Sequence, residues 1–213
     1  MKCKICGTRR PRRFCPGVQG EICTLCCGTE REVTVLCPFE CPYLRAAHEH
    51  ERKARLDEVP HADVEIRQSD VEEKTFLLMA LCMAIRRAAA ARRDLVDRDV
   101  IEALEGLIQT YKVARSGLVY EARPQNPMAA EVFQAVQEQI AELRRLLREE
   151  SPQAEARLRD IDILITLVYL RRLAALHSNG RPKGRPFLAW LFSLPGMAEK
   201  EAGAPQERLV ITP

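Results

Sequence analysis

The stretch MKCKICGTRRPRRFCPGVQGEICTLCCGTEREVTVLCPFEC, residues 1–41, carries eight of the nine cysteines in a chain of 213 residues. It has no helical hydrophobic period and is rich in Cys, Gly, Arg and Pro, which predicts loops and short strands organised around metal in place of an apolar core. No apolar stretch follows Met1-Lys2-Cys3-Lys4. The cysteines therefore read as reduced thiolates of a cytoplasmic protein rather than as a secreted disulfide framework.

The spacing divides the sulfurs. Cys3-Lys4-Ile5-Cys6 and Cys23-Thr24-Leu25-Cys26 each place two cysteines on one tight turn, the arrangement that lets a turn grip one side of a tetrahedral zinc ion. The two turns together supply four ligands. Cys15, Cys27, Cys37 and Cys41 remain, again four, and Cys41 stands just before a helix, as the last ligand of treble-clef-like fingers often does. Two zinc ions are expected, and spacing leaves open which of Cys26 and Cys27 serves which ion. Sites closed by four protein ligands leave no position for substrate, and the chain carries no glycine-rich phosphate loop or nucleophile elbow. It therefore reads as a non-enzyme. Oxidation of the thiolates with release of the ion would give a redox sensor, a second use that the same residues allow.

The order of a ligand pair, the segment Arg13-Phe14-Cys15 and the string Ile22-Cys23-Thr24-Leu25-Cys26 resembles the B-box and, more loosely, the HIT class of small cross-brace zinc fingers. The resemblance covers residues 1–41 and implies an interaction surface. Val18 stands where a B-box ligand would, and Cys37 and Cys41 replace its late histidine pair. Cys26-Cys27-Gly28-Thr29-Glu30-Arg31-Glu32, with Cys37-Pro38 and Cys41-Pro42-Tyr43-Leu44, is also similar to a group of bacterial proteins, a likeness that implies no function.

Beyond Cys41 the pattern is helical. Pro42 opens a helix carrying Leu44, Ala47 and Leu56 to about Glu58, and Pro60 closes it. Ser69 and Glu72 form a capping-box pattern for a helix to about Arg92, apolar on every side from Phe76 to Ile85 and so expected at the centre of a bundle. Asp97 is the expected cap of a half-exposed helix with Val100, Ile101, Leu104, Leu107, Ile108 and Tyr111 at the 3.6 period. Asn126-Pro127 starts a fourth, striped by Val132, Phe133, Val136, Ile140, Leu143 and Leu147. Ser151-Pro152 starts a fifth, to about His177, as the second central helix. The longest apolar run, Phe76 to Ile85, has 10 residues, about half of the ~20 that cross a bilayer, so no membrane partner is expected. The chain thus reads as mostly α, with a two-zinc module at 1–41, a connecting helix and linker at 42–69, a helical bundle at 70–178, and a basic linker, apolar anchor and mobile tail at 179–213.

Two basic segments invite a nucleic-acid reading: Arg9, Arg10, Arg12 and Arg13, and Arg181, Lys183 and Arg185, the latter resembling the centre of an AT-hook. Net charge, however, is only +3. Within residues 1–47 eight basic residues face four acidic ones, an excess that offsets the −4 of eight thiolates around two zinc ions. The loaded module is formally neutral, which favours a protein partner met by Phe39, Tyr43 and arginines. The apolar segment from Phe187 favours reading Arg181 to Pro186 as a linker that pins the chain.

Other candidates are weaker. His48 and His50 lie two apart on a helix and cannot share an ion, although either alone would serve as a late ligand. Glu58-Val59-Pro60-His61 has di-iron spacing, but Pro60 breaks the helix that this geometry needs. Cys82, between Leu81 and Met83, reads as a small buried apolar residue, and His177 as a helix C-terminal residue. No account of Arg115 to Glu121 follows from pattern alone.

Overall fold

The computed structural model describes residues 1–51, 59–118 and 120–194, and over these the chain is mostly helical. Strands β1 (Arg13–Cys15) and β2 (Gly20–Ile22) form an antiparallel hairpin, with Phe14 opposite Glu21. Helix α1 (Thr24–Thr29) follows at once, and α2 (Pro42–His50) ends the module. The continuation of α2 expected through Leu56 to Glu58 lies outside the described residues, as does the expected tail at 195–213.

The bundle comprises α3 (Gln68–Glu73), α4 (Thr75–Ala91), α5 (Asp97–Ala114), α6 (Pro127–Glu150), α7 (Pro152–Glu155), α8 (Asp160–His177) and α9 (Pro186–Ser193). Three of these helices begin the same way: the carboxylate of an aspartate in the first turn accepts the backbone N–H three residues back. Asp70 serves Arg67 at 3.0 Å, Asp99 serves Val96 at 3.0 Å and Asp162 serves Arg159 at 3.1 Å. Each satisfies an N–H that a helix start leaves unpaired and places negative charge at the positive end of the dipole. Helix α6 starts as its sequence predicts, with Asn126 accepting from Met128 N at 3.0 Å and Pro127 in the first turn.

Two expected helices are each broken in two. The run from Ser69 to Arg92 leaves helical geometry at Lys74, whose ammonium reaches Arg157 O at 3.2 Å and Asp162 at 3.7 Å. The run from Pro152 to His177 breaks after Glu155, where Leu158 turns into the core and Arg159 meets Asp162 side chain to side chain at 3.0 and 3.1 Å. At α8 the capping Asp162 favours a fresh start over continuing, whereas α4 restarts without a side-chain cap.

The centre also differs from expectation. Helix α4 buries one face, through Leu77, Leu81, Cys82, Ala84, Ile85 and Ala89, and leaves Phe76 exposed, while α5 lies between α6 and α8. Gly106 on α5 allows the return segment to cross closely: a Cβ there would stand 2.5 Å from Ala122 O and 3.3 Å from the Phe133 ring. Thr110 Oγ1 accepts from Ala122 N at 3.0 Å. This anchors the far end of the segment that pattern alone leaves unplaced, while Leu118 and Tyr120 remain exposed. Helix α9 covers the end of the core with Phe187, Leu188 and Leu191 and packs on α4, α5 and α8.

Asp97 does not cap its own helix. Asp99 takes that role, and the fully buried Asp97 carboxylate accepts from Phe187 N at 2.9 Å and Leu188 N at 3.1 Å, capping α9. Burial pushes this carboxyl up to about 7 against the pull of the two amides and Arg185, and the nearby Glu32 pushes it the same way. The folded chain thus prefers Asp97 protonated, whereas the unfolded chain ionises it near 3.9. Its contribution is full below about pH 4 and is lost as pH rises through about 7, a fall on the order of a few kcal/mol. Urea unfolding of wild type and Asp97→Asn at pH 5 and pH 8 should show a smaller loss in the variant. Metal contributes the same slope to both proteins, so equal losses would contradict this assignment.

Candidate metal centre

The first sulfur set is assembled by the hairpin and the start of α1. Lys4 N donates to Glu21 O at 2.9 Å, laying the N-terminal segment beside β2, and Cys3 N donates to Arg9 O at 2.9 Å. The turn after Cys3 closes through Gly7 N to Cys3 O at 2.8 Å, with Gly7 in the left-handed region at φ +66°. Cys23 caps α1, its Sγ accepting from Cys26 N at 3.4 Å, while Cys3 Sγ accepts from Cys23 N at 3.2 Å and Cys6 Sγ from Thr8 Oγ1 at 3.4 Å. The sulfurs of Cys3, Cys6, Cys23 and Cys26 all lie within 4.8 Å of one another. Zn–S bonds of about 2.3 Å in a tetrahedron put sulfurs about 3.8 Å apart, so this group can hold a metal ion with little movement.

The electrostatics call for a cation. The Thr8 hydroxyl and the backbone amides of Arg9 and Thr8 bring Cys6 down to about 5. Burial and the neighbouring sulfurs push Cys26 up to about 12. Four thiolates this close repel one another, and a dication sharing them removes that conflict. Arg9 lies against Cys23 and Cys6, and their charge raises its own basicity.

The second set meets at one place without being drawn so tightly. Cys15 at the end of β1, Cys27 on α1, and Cys37 and Cys41 flanking the turn into α2 line one cavity of about 20 Å³ with Ile5, Val35 and Leu44. Among the described residues, no second group of sulfurs comes as close as the first. Arg13 and Arg31 each donate to Cys27 Sγ at 3.7 Å. Burial pushes the Cys37 thiol up to about 11, with the neighbouring Cys15 and Cys41 adding to the rise. Of the adjacent cysteines on α1, Cys26 belongs to the first set and also borders this cavity, while Cys27 shares the cavity and accepts from Arg13 and Arg31. Cys82 is far from both in sequence and buried in the bundle core, where burial pushes its thiol up to about 12.

The other candidates lie elsewhere. His48 Nε2 sits 2.9 Å from Glu32 Oε2, and His50 is exposed. His61 Nε2 sits 2.8 Å from Glu105, which also receives Arg171 at 2.6 Å, so this histidine pins the linker to α5; Glu58 lies outside the described residues. His177 stacks on Trp190 with ring centroids 4.3 Å apart.

The basic residues divide by role. Arg9 and Arg13 attend the sulfurs, and Arg13 also stacks 3.8 Å from the Tyr43 ring centroid. Arg10 and Arg12 are exposed. Arg181 pairs with Glu51 at 2.9 Å and donates to Arg31 O at 3.4 Å, Lys183 Nζ bonds Thr34 O, and the buried Arg185 lies 3.9 Å over the Phe39 ring. Phe39 also meets Phe192 at 5.5 Å, so it faces inward, and the expectation that it faces a partner is corrected.

Sequence reasoning missed Glu32, which is 1% exposed. Its carboxylate accepts from Asn179 Nδ2 at 2.9 Å and Arg185 N at 3.0 Å and meets His48, while its carbonyl accepts from Lys183 N at 2.8 Å. Burial alone would raise this carboxyl, but His48 and the donors from Arg185 and Asn179 outweigh it and hold it below the usual range. In Glu30-Arg31-Glu32 nothing local marks the last residue as internal.

Cobalt(II) added to the metal-free chain is expected to give intense sulfur-to-metal charge-transfer bands of tetrahedral thiolate ligation, and Cys3→Ser to remove those of the first site. Most of the helical circular dichroism should survive the substitution, because the bundle core contains none of these ligands. Unchanged charge-transfer bands in Cys3→Ser would contradict the assignment.

No family model, curated protein or solved structure matches this chain, so what it does must follow from the geometry of its own sulfurs and surfaces.

Proposed function

We propose that residues 1–41 form a two-zinc, sulfur-only finger that acts as the interaction module of a cytoplasmic adaptor, carried on the helical bundle. The carrying observation is the convergence of Cys3, Cys6, Cys23 and Cys26 within 4.8 Å. The grouping of Cys15, Cys27, Cys37 and Cys41 around one cavity supports a second ion. Sulfur-only donors in a tetrahedron favour zinc, and four protein ligands leave no open position, which favours a structural and binding role over catalysis. No helix among the described residues is long and apolar enough to cross a membrane.

The module leaves Phe14 61% and Leu25 51% exposed, beside freely exposed Arg10 and Arg12. Large apolar side chains held outward on a small rigid unit are what a protein partner buries. The alternative, a nucleic-acid-associated regulator, would have to rest chiefly on Arg10 and Arg12, because Arg181, Lys183 and Arg185 are engaged within the chain.

Native mass spectrometry of the full chain should find two zinc ions, and one ion or disulfides in freshly isolated protein would contradict the two-site reading. A pull-down comparing wild type with the Phe14→Ala, Leu25→Ala double variant should lose its specific partner while the variant keeps both ions. Binding to a mixed nucleic-acid pool with a log–log salt slope of about 6 or more would instead favour the alternative, since two phosphate contacts give a slope of only about 2.

A further inference from the structure

The chain from Asn179 to Leu188 forms a strap held from two sides. On the bundle side, Asp97 N donates to Gly184 O at 2.9 Å and the Asp97 carboxylate caps α9 through Phe187 and Leu188. On the module side most hydrogen bonds fall on one short loop, and Glu51, which pairs with Arg181, and Phe39, which lies under Arg185, add contacts outside it. Arg31 O accepts from Arg181, Glu32 accepts from Asn179, Lys183 and Arg185, and Thr34 O accepts from Lys183 Nζ. The strap folds back tightly on itself at Gly184, where a Cβ would stand 2.3 Å from Asn179 Oδ1 and 3.1 Å from Arg181 O.

That loop is braced by the second sulfur set. It begins two residues after α1 ends at Thr29 and reaches Cys37 two residues beyond Val35. A parallel bridge joins Arg31 to Val35, and Glu32 N donates to Val35 O at 3.1 Å, with Glu32 in the left-handed region at φ +55°. A non-glycine residue in that region keeps its place only where its surroundings fix it. The two loop residues that carry most of the strap each also touch a sulfur: Arg31 donates to Cys27 Sγ at 3.7 Å, and the Glu32 amide faces Cys37.

We infer that an ion in the second sulfur set latches the strap and α9 onto the bundle by fixing the loop Arg31–Val35, a regulation that rests on the two-site reading proposed above. Bonding Cys27 and Cys37 to one ion joins the two ends of the loop and sets where the Glu32 carboxylate points. Without that bond the loop is free to leave its strained conformation, the strap loses its hydrogen-bonded seat, and α9 keeps Asp97, its apolar face and the outlying contacts of Arg181 with Glu51 and Arg185 with Phe39.

The test is hydrogen exchange of the zinc-loaded full chain, read at the amides of α9, with α6 as the internal reference and the zinc count taken by native mass spectrometry. Cys27→Ser or Cys41→Ser is expected to hold one ion and to exchange α9 amides at least about tenfold faster, with α6 unchanged. Cys27→His, which can still ligate zinc, should restore both the count and the protection. Glu32→Gln should keep two ions and still lose the protection. Serine variants with one ion and unaltered α9 exchange would overturn the latch, as would Glu32→Gln with unaltered exchange. A wild type holding one ion, unchanged by either serine variant, would overturn the two-site reading beneath it and the latch with it.

Discussion

A single buried carboxylate sits where the two halves of this protein meet. Glu32 is enclosed by donors from α2, from the end of α8 and from the strap before α9, so its charge is shared by segments that are distant along the chain. An ionised carboxylate out of water is tolerated only when hydrogen bonds and opposite charge replace its hydration. That constraint fixes the position of the metal module relative to the bundle. It also explains why Arg181, Lys183 and Arg185 turn inward: they converge on the loop that carries the negative charge, and Arg185 adds an aromatic stack on Phe39.

The arginines near the N-terminus follow the same logic at the sulfurs. Arg9 attends the first set, and Arg13 and Arg31 attend Cys27 of the second. A thiolate-rich site concentrates negative charge beyond what one dication neutralises, and guanidinium groups nearby carry the remainder. Basic clusters beside cysteine-rich segments are therefore partly a property of the metal site itself. Arg9, Arg10 and Arg12 are all exposed in this run, and of these Arg10 and Arg12 do not attend a sulfur.

Much of the fold was legible because its signals are local. Cysteine spacing pointed to the set Cys3, Cys6, Cys23 and Cys26, the 3.6 period located the helices, and Asn126-Pro127 marked a start that the structure keeps. The misses have one kind of cause, which is competition between nearby residues for the same role. Asp99 displaces Asp97 as a cap because it sits where its carboxylate reaches back to Val96 N, and Asp97 is then free to cap a helix almost ninety positions later. Lys74 and Leu158 interrupt helices whose periodicity is intact, each because a distant contact is worth more than one turn of helix. Glu32 was illegible because the partners of its carboxylate are more than a hundred residues away, except for His48. Cys26 joined the first set only once its sulfur was seen within 4.8 Å of those of Cys3, Cys6 and Cys23.

The bond from Arg185 N to Glu32 closes a span of 153 residues. At about 5–20 residues per second, a ribosome needs roughly 8–30 s to make the chain between them. For that interval the cysteine module has all of its sulfurs and none of the strap that later covers one side of it. Its inward face is then hydrated, with Glu32 open to solvent and Phe39 without its arginine. The covered face of the module thus has a lifetime in the nascent chain, and the final docking is a late step whose earliest moment is set by the length of the chain.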